Sequence, residues 1–135
     1  MVAVAALIAA AGLLVAPTAQ AAAGCRIDYS VTNQWANGLG ADVSVTNLGD
    51  PLTRWRLTWT FTAGQKVTQL WNGTVSQSGA QVTVTNAAYN GSLATGASTS
   101  FGFNGSWDNA GNPAPTDFAV NGTPAPEARR RPRPR

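Results

Sequence analysis

An all-β fold, a single antiparallel β-sandwich, is what this sequence predicts, and three observations predict it. Apolar residues recur with a period of two in several short runs, the pattern of strands with one buried and one wet face. Turn-forming residues such as Asn47, Gly49, Asp50 and Pro51, Asn72-Gly73, Ser78-Gly79 and Asn90-Gly91 separate those runs at short spacing. No stretch after the first two dozen residues carries a helical period. The chain has 135 residues and both ends differ in composition from the middle. That leaves room for one domain of about 100 residues, enough for a single core.

The elements follow in order. Residues 1–23 read as an export signal: Val2 to Val15 is almost wholly apolar, Pro17 breaks the run, and Ala19-Gln20-Ala21 has the small-x-small form of a cleavage site. The run is too short and Ala-rich for a stable membrane span, which needs about 20 strongly apolar residues. No cation precedes it, which points to a start upstream of Met1. In the next segment Cys25, Ile27, Tyr29 and Val31 alternate with Arg26, Asp28, Ser30 and Thr32, and Ala41, Val43 and Val45 repeat the pattern. Trp55, Leu57, Trp59 and Phe61 alternate with Arg54, Arg56, Thr58 and Thr60. Shorter runs lie around Lys66 to Trp71, Ala80 to Thr85, Ser98 to Phe103 and Phe118 to Asn121. Residues 24–123 thus form the domain. Residues 124–135, alternating Pro, Ala and Arg, read as a solvated extended linker.

Composition narrows the function. The net charge of +3 arises from Arg129, Arg130, Arg131, Arg133 and Arg135 in the tail. In the body Arg26, Arg54, Arg56 and Lys66 face Asp28, Asp42, Asp50, Asp108 and Asp117, a net of −1, so no basic nucleic-acid face is encoded. There is no histidine, which removes the commonest general base and metal ligand. The carboxylates show no local pairing of the kind glycoside hydrolysis needs. No cofactor or metal site is expected.

Three aromatic residues sit among amides: Trp35 after Asn33 and Gln34, Trp71 between Gln69 and Asn72, and Tyr89 before Asn90. A sugar ring presents a C–H face that packs on an aromatic plane and a rim of hydroxyls that seeks donors and acceptors, so rings edged by Asn and Gln suit a neutral polysaccharide. Parity sorts the other rings. Trp55 and Trp59 are in phase with Leu57 and Phe61 and belong to the core, whereas Trp71 neighbours Leu70 and points the opposite way. Trp35 and Tyr89 lie beyond the strand patterns. Each alone reads more readily as a half-buried packing residue than as a ligand contact; three exposed rings together read as a surface with a use. An adhesion domain of immunoglobulin type is the rival non-enzymatic reading, and it would not require exposed amide-edged rings.

The segments Val31-Thr32-Asn33-Gln34-Trp35 with Gly38, Trp55-Arg56-Leu57-Thr58-Trp59, Gln65 to Trp71, Val82 to Asn86, Asn90-Gly91-Ser92-Leu93, Phe101 to Ser106 and Asn121-Gly122-Thr123 resemble, in order and spacing, carbohydrate-binding module family 2, the bacterial cellulose-binding type. The resemblance implies an immunoglobulin-like jelly-roll sandwich attached to a secreted glycoside hydrolase or oxidative polysaccharide enzyme. It implies a binding strip of Trp35, Trp71 and Tyr89, flanked by Asn33, Gln69 and Asn104, with Asp42 as a further polar contact. The implied partner is cellulose or a related insoluble β-glucan, with chitin as an alternative, bound by a secreted monomer with no catalytic role. The family's xylan-binding branch carries Arg where this chain has Gly38; Gly leaves room for the Trp35 ring to lie flat, which favours cellulose over xylan. Tyr89 stands where the family usually has Trp, which implies weaker stacking. The disulfide that joins the family's two chain ends is missing: Cys25 is the only cysteine, and Pro124-Ala125-Pro126 occupies the partner's place.

Overall fold

The computed structural model describes residues 24–125 and 128–130, and the expected signal segment lies outside them. Ten strands and no helix make up the described chain: β1 (Cys25–Trp35), β2 (Gly38–Asn47), β3 (Arg56–Thr60), β4 (Lys66–Trp71), β5 (Gly73–Ser78), β6 (Gln81–Asn86), β7 (Ser98–Ser106), β8 (Ala119–Val120), β9 (Thr123–Pro124) and β10 (Ala128–Arg130). They form two five-stranded sheets, ordered β10-β1-β2-β7-β4 and β5-β6-β3-β8-β9. The expected sandwich is present. Its pairs are antiparallel except at one edge, where β10 runs parallel to β1 with Ile27 opposite Ala128. Ala128–Arg130 therefore departs from the free spacer that its composition predicts. These three residues are extended here, and their backbone takes up the edge that β1 would otherwise leave unpaired.

The core lies between the sheets and follows the alternation residue by residue. Ile27, Tyr29, Leu39, Val43 and Val45 from one sheet meet Leu57, Trp59, Val82, Val84 and Val120 from the other, all buried. Trp59 is the hub. Its ring stacks on Phe101 and Phe103 at centroid distances of 6.3 and 5.8 Å and meets Phe61 edge-on at 5.7 Å. Trp55 stacks on Phe101 at 5.9 Å and uses its Nε1 to donate to the Asn90 carbonyl. Buried amides are satisfied as burial requires: Gln65 accepts from the Ala63 amide and donates to Asn112 and Pro113, while Asn47 donates to the Asp50 and Leu93 carbonyls. Strand β5 was not visible as a run because Val75 is its only large apolar residue. It is held by pairing along β6 and by Gln77, which accepts from the Val67 amide and donates to the Gln65 carbonyl.

Two interruptions of register shape the outer face of the first sheet. Thr32 is an extra residue in β1 between the pairs Val31–Ala41 and Asn33–Gly40. Thr68 is an extra residue in β4 between Val67–Gly105 and Gln69–Asn104. A bulged residue shifts every following side chain to the other face. Strict alternation from Cys25 would send Trp35 inward; the bulge at Thr32 turns Asn33 and Trp35 outward instead. On β4 the bulge lets Val67 pack against the core while Gln69 and Trp71 stay on the wet side.

Candidate functional site

Among the described residues, Trp35, Trp71 and Tyr89 are the large hydrophobic side chains left exposed, at 45%, 44% and 73%. Trp55 and Trp59 are buried, as parity requires. Trp35, which the sequence places past the strand pattern, is the last residue of β1 and pairs with Gly38 across the β1–β2 hairpin. Trp71 ends β4 and pairs with Gly102 of β7.

Both tryptophans lie on a glycine of the neighbouring strand. A Cβ placed on Gly38 would clash with Nε1, Cε2 and Cζ2 of Trp35, and one placed on Gly102 would meet Cζ2, Cε2 and Nε1 of Trp71 at 2.5 to 2.6 Å. In both cases the Cβ would overlap the Nε1–Cε2–Cζ2 side of the ring, so each indole lies over the sheet in the space that its glycine leaves open. Gly38 and Gly102 occupy outward-facing positions and are nevertheless buried, because a ring covers each. A cross-strand aromatic–glycine pair is a known device for shielding glycine backbone in a sheet. Here it occurs twice. The two seats are four residues apart along β2, from the row of Gly38 to the row of Asp42, and one strand apart, which strand geometry converts to about 13 Å and about 5 Å.

Between these rows lies a row of amides. Asn33 pairs with Gly40, Gly40 with Asn104, and Asn104 with Gln69, so the three predicted amide positions share one line across four strands. Asn104 Nδ2 donates to Gln69 Oε1 at 3.3 Å, and Asn33 Oδ1 accepts from the Gln34 amide. Asp42 is exposed and shares a row with Ser30, Gly102 and Trp71. It lines a shallow depression of about 320 Å³ beside the Trp71 ring, together with Asp28, Ser30, Ser44, Ser100 and Asn72.

Tyr89 is held differently. It sits in the loop after β6, and its hydroxyl donates to Asn72 Oδ1 at 2.5 Å. Asn90 fixes that loop by donating to the Asn72 carbonyl and accepting from the Ala87 amide, while its own carbonyl accepts from Trp55. Asn72 has a positive φ of 66°, a conformation that Asn tolerates better than most residues, and it follows Trp71 directly. Trp71 and Tyr89 are thus coupled through one turn residue. Trp35 is supported from below: Trp107 Nε1 donates to its carbonyl at 2.8 Å, and Asn37 and Asn109 exchange two hydrogen bonds of 2.7 Å. Asp108 closes that supporting loop by accepting from the Ala110 and Gly111 amides, which hold its carboxyl below the usual range. Sequence reading missed Gly102, Trp107 and the bond with Tyr89 made by Asn72, which it named only as a turn residue and an amide beside Trp71. Gly102 was legible as a glycine flanked by Phe101 and Phe103, inside a strand whose pattern gave no reason for it; the other two owe their roles to contacts far apart in sequence.

Among the described residues no group of three or more His, Cys, Asp or Glu side chains is placed to hold a metal ion. The surface thus brings together two seated indoles and a line of amides on one sheet face, with a phenol pinned to the turn residue after Trp71. The model of the cellulose-binding domain family matches residues 25–125. The chain belongs to carbohydrate-binding module family 2. Endoglucanase CelA of Streptomyces lividans is 52% identical over 110 residues, which cover 81% of this chain and 24% of that enzyme. The chain thus spans about a quarter of the length of that curated relative. Among solved structures, the chitin-binding domain of Chi18aC from Streptomyces coelicolor is 39% identical with a TM-score of 0.61, over 75% of this chain and 93% of that one. The cellulose-binding family 2 domain of ScLPMO10C is 33% identical with a TM-score of 0.57, over 73% of this chain and 95% of that one. The protein is therefore a polysaccharide-binding module of this family.

Proposed function

We propose that this module adsorbs to the flat face of crystalline cellulose through Trp35, Trp71 and Tyr89, and that it does so outside the cell, delivering a carbohydrate-active enzyme to its substrate. The observation that carries the reading is the pair of indoles lying over Gly38 and Gly102, with no side chain beneath to prop either ring away from the sheet. A planar pair matches a planar polymer face; a twisted xylan chain would need rings set at angles. Asn33, Gln69 and Asn104 supply donors and acceptors to sugar hydroxyls between the rings, and the exposed carboxylate of Asp42 accepts from hydroxyls beside Trp71.

If each ring buries about 50 to 70 Å² of apolar face, at about 25 cal/mol per Å² it contributes on the order of 1 to 2 kcal/mol. Three rings then supply about 4 to 5 kcal/mol, and a micromolar affinity, about −8 kcal/mol, requires the amides as well. Rigid rings on a rigid sheet lose little entropy on binding. Chitin is the second reading, supported by the likeness to a solved chitin-binding domain. The test is depletion of the purified module by microcrystalline cellulose, chitin and insoluble xylan, with Trp35→Ala and Trp71→Ala alongside. Cellulose retention that falls in both variants is expected; retention on xylan alone would refute the flat-face reading.

A further inference from the structure

We infer that Gly102 is a specificity-determining position in its own right: it is the seat that holds Trp71 in the plane of Trp35, and a side chain there converts a flat binding face into a stepped one. The inference rests on the proposed adsorption to a flat polysaccharide face and names a determinant of it that lies on a different strand from the Trp35 seat.

The argument begins with what Gly102 is not. Its φ is not in the left-handed region, unlike Gly64, Gly79, Gly96 and Gly122, so its backbone conformation is open to any residue. It lies within β7, between Phe101 and Phe103, both of which face the core. Glycine in the interior of a strand costs stability relative to a residue with a side chain, because it loses more entropy and packs nothing. Local structure therefore gives no reason for glycine here, and space does. The three atoms nearest to a Cβ at this position all belong to the Trp71 indole, and none is backbone.

Position and exposure settle what would yield. β4 is the edge strand of its sheet, and Trp71 at its end is exposed on its outer side. A methyl on residue 102 would overlap the ring, the ring can swing toward solvent, and the β7 backbone need not move. Lifting one indole leaves the core untouched and takes Trp71 off the sheet surface that carries Trp35, whose seat lies about 13 Å away along the strands. A rigid crystalline face meets the displaced ring at an edge or not at all. A single chain in solution can bend to follow it. Gly102 is thus a positioning residue that acts through Trp71, and its effect falls on the choice between ordered surface and free chain.

The experiment combines geometry with selectivity, using Gly102→Ala and Gly102→Val in the wild-type and Trp71→Ala backgrounds. In wild-type protein the Gly102 Hα resonances are expected upfield through the Trp71 ring current, with Overhauser contacts to the indole; the variants lose those contacts while the signals of Trp35 and the core stay in place. Adsorption to microcrystalline cellulose is expected to fall about tenfold in Gly102→Val, one ring's share of stacking, and binding of a soluble β-glucan to change much less. In the Trp71→Ala background the same substitution is expected to have no further effect, the signature of one residue acting through the other. Variants that adsorb as tightly as wild type, or that lose adsorption equally without Trp71, overturn the inference. A wild-type module that adsorbs to no insoluble polysaccharide removes the parent reading, and the inference falls with it.

Discussion

At the scale of single residues, exposure separates rings that hold the fold from rings that face the solvent. Trp59 touches Tyr29, Phe61, Phe101, Phe103 and Phe118, so Trp59→Ala should cost about 3 to 5 kcal/mol and leave little folded protein in a thermal melt. Trp71→Ala should leave the melt nearly unchanged, because the ring is exposed and outside the core, and, on the proposed reading, lower the adsorption constant about tenfold. Equal effects of the two substitutions on stability would refute the division. Tyr29 carries a different signature. It is buried, its hydroxyl has no hydrogen-bond partner among the described residues, and burial pushes its pKa far above the ordinary phenol value. An unsatisfied buried hydroxyl costs about 1 to 3 kcal/mol, so Tyr29→Phe should raise the midpoint of denaturant unfolding without altering its slope. A lower midpoint would mean that the hydroxyl has a partner, such as an internal water.

At the scale of elements, the sequence carried the sandwich because each long strand buries one face, and period two survives wherever that holds. It carried Trp71 for the same reason, through the neighbouring Leu70 that packs against the core. It did not carry the cause of Trp35's exposure. Continued alternation from Tyr29 and Val31 would have buried that ring, and the bulge at Thr32 is a property of pairing with β2 that no local pattern displays. Strand β5 was hidden because a polar strand held by side-chain amides has no apolar rhythm to read. Gly38 was legible from resemblance, whereas the matching role of Gly102 appears only once β4 and β7 are set in register. The loop of Trp107 to Asn112 was equally invisible, and it makes a prediction of its own. Asp108 is held below its ordinary pKa by two backbone amides, so its stabilising contribution is complete above about pH 3.9, the unfolded value, and is lost as pH falls from there through the lower folded value. If Trp35 binds polymer as proposed, adsorption should be flat from neutral pH to about 5 and decline below about 4, because that loop supports the Trp35 carbonyl. Asp108→Asn should flatten the acid limb of that curve, and an unchanged limb would place the titrating group elsewhere.

At the scale of the whole molecule, the two ends of the domain approach the same core without a covalent link between them. Cys25 opens β1 and is buried in phase with Ile27. Ala125 packs against that core from the other end of the domain, and its amide donates to the Phe118 carbonyl at 2.9 Å. Burial pushes the Cys25 thiol above its usual pKa, against a smaller opposing effect of the Leu48 backbone. The native protein should therefore react with a thiol reagent at neutral pH no faster than it unfolds. Chain entropy gives the expected gain from closing the loop. A bridge spanning about 100 residues restricts the unfolded chain strongly, and such links contribute about 2 to 5 kcal/mol when native geometry accepts them. In a domain of this size each kcal/mol is worth about 4 to 8 °C, so Ala125→Cys should raise the oxidised melting temperature by at least about 8 °C. The comparison that decides is a calorimetric scan of that variant with and without reductant beside the parent protein. A reductant-sensitive rise in the variant alone means that the fold already holds both ends at bridging distance; identical scans mean that the route of Thr123 to Ala125 has diverged from that of a bridged domain along with the lost cysteine.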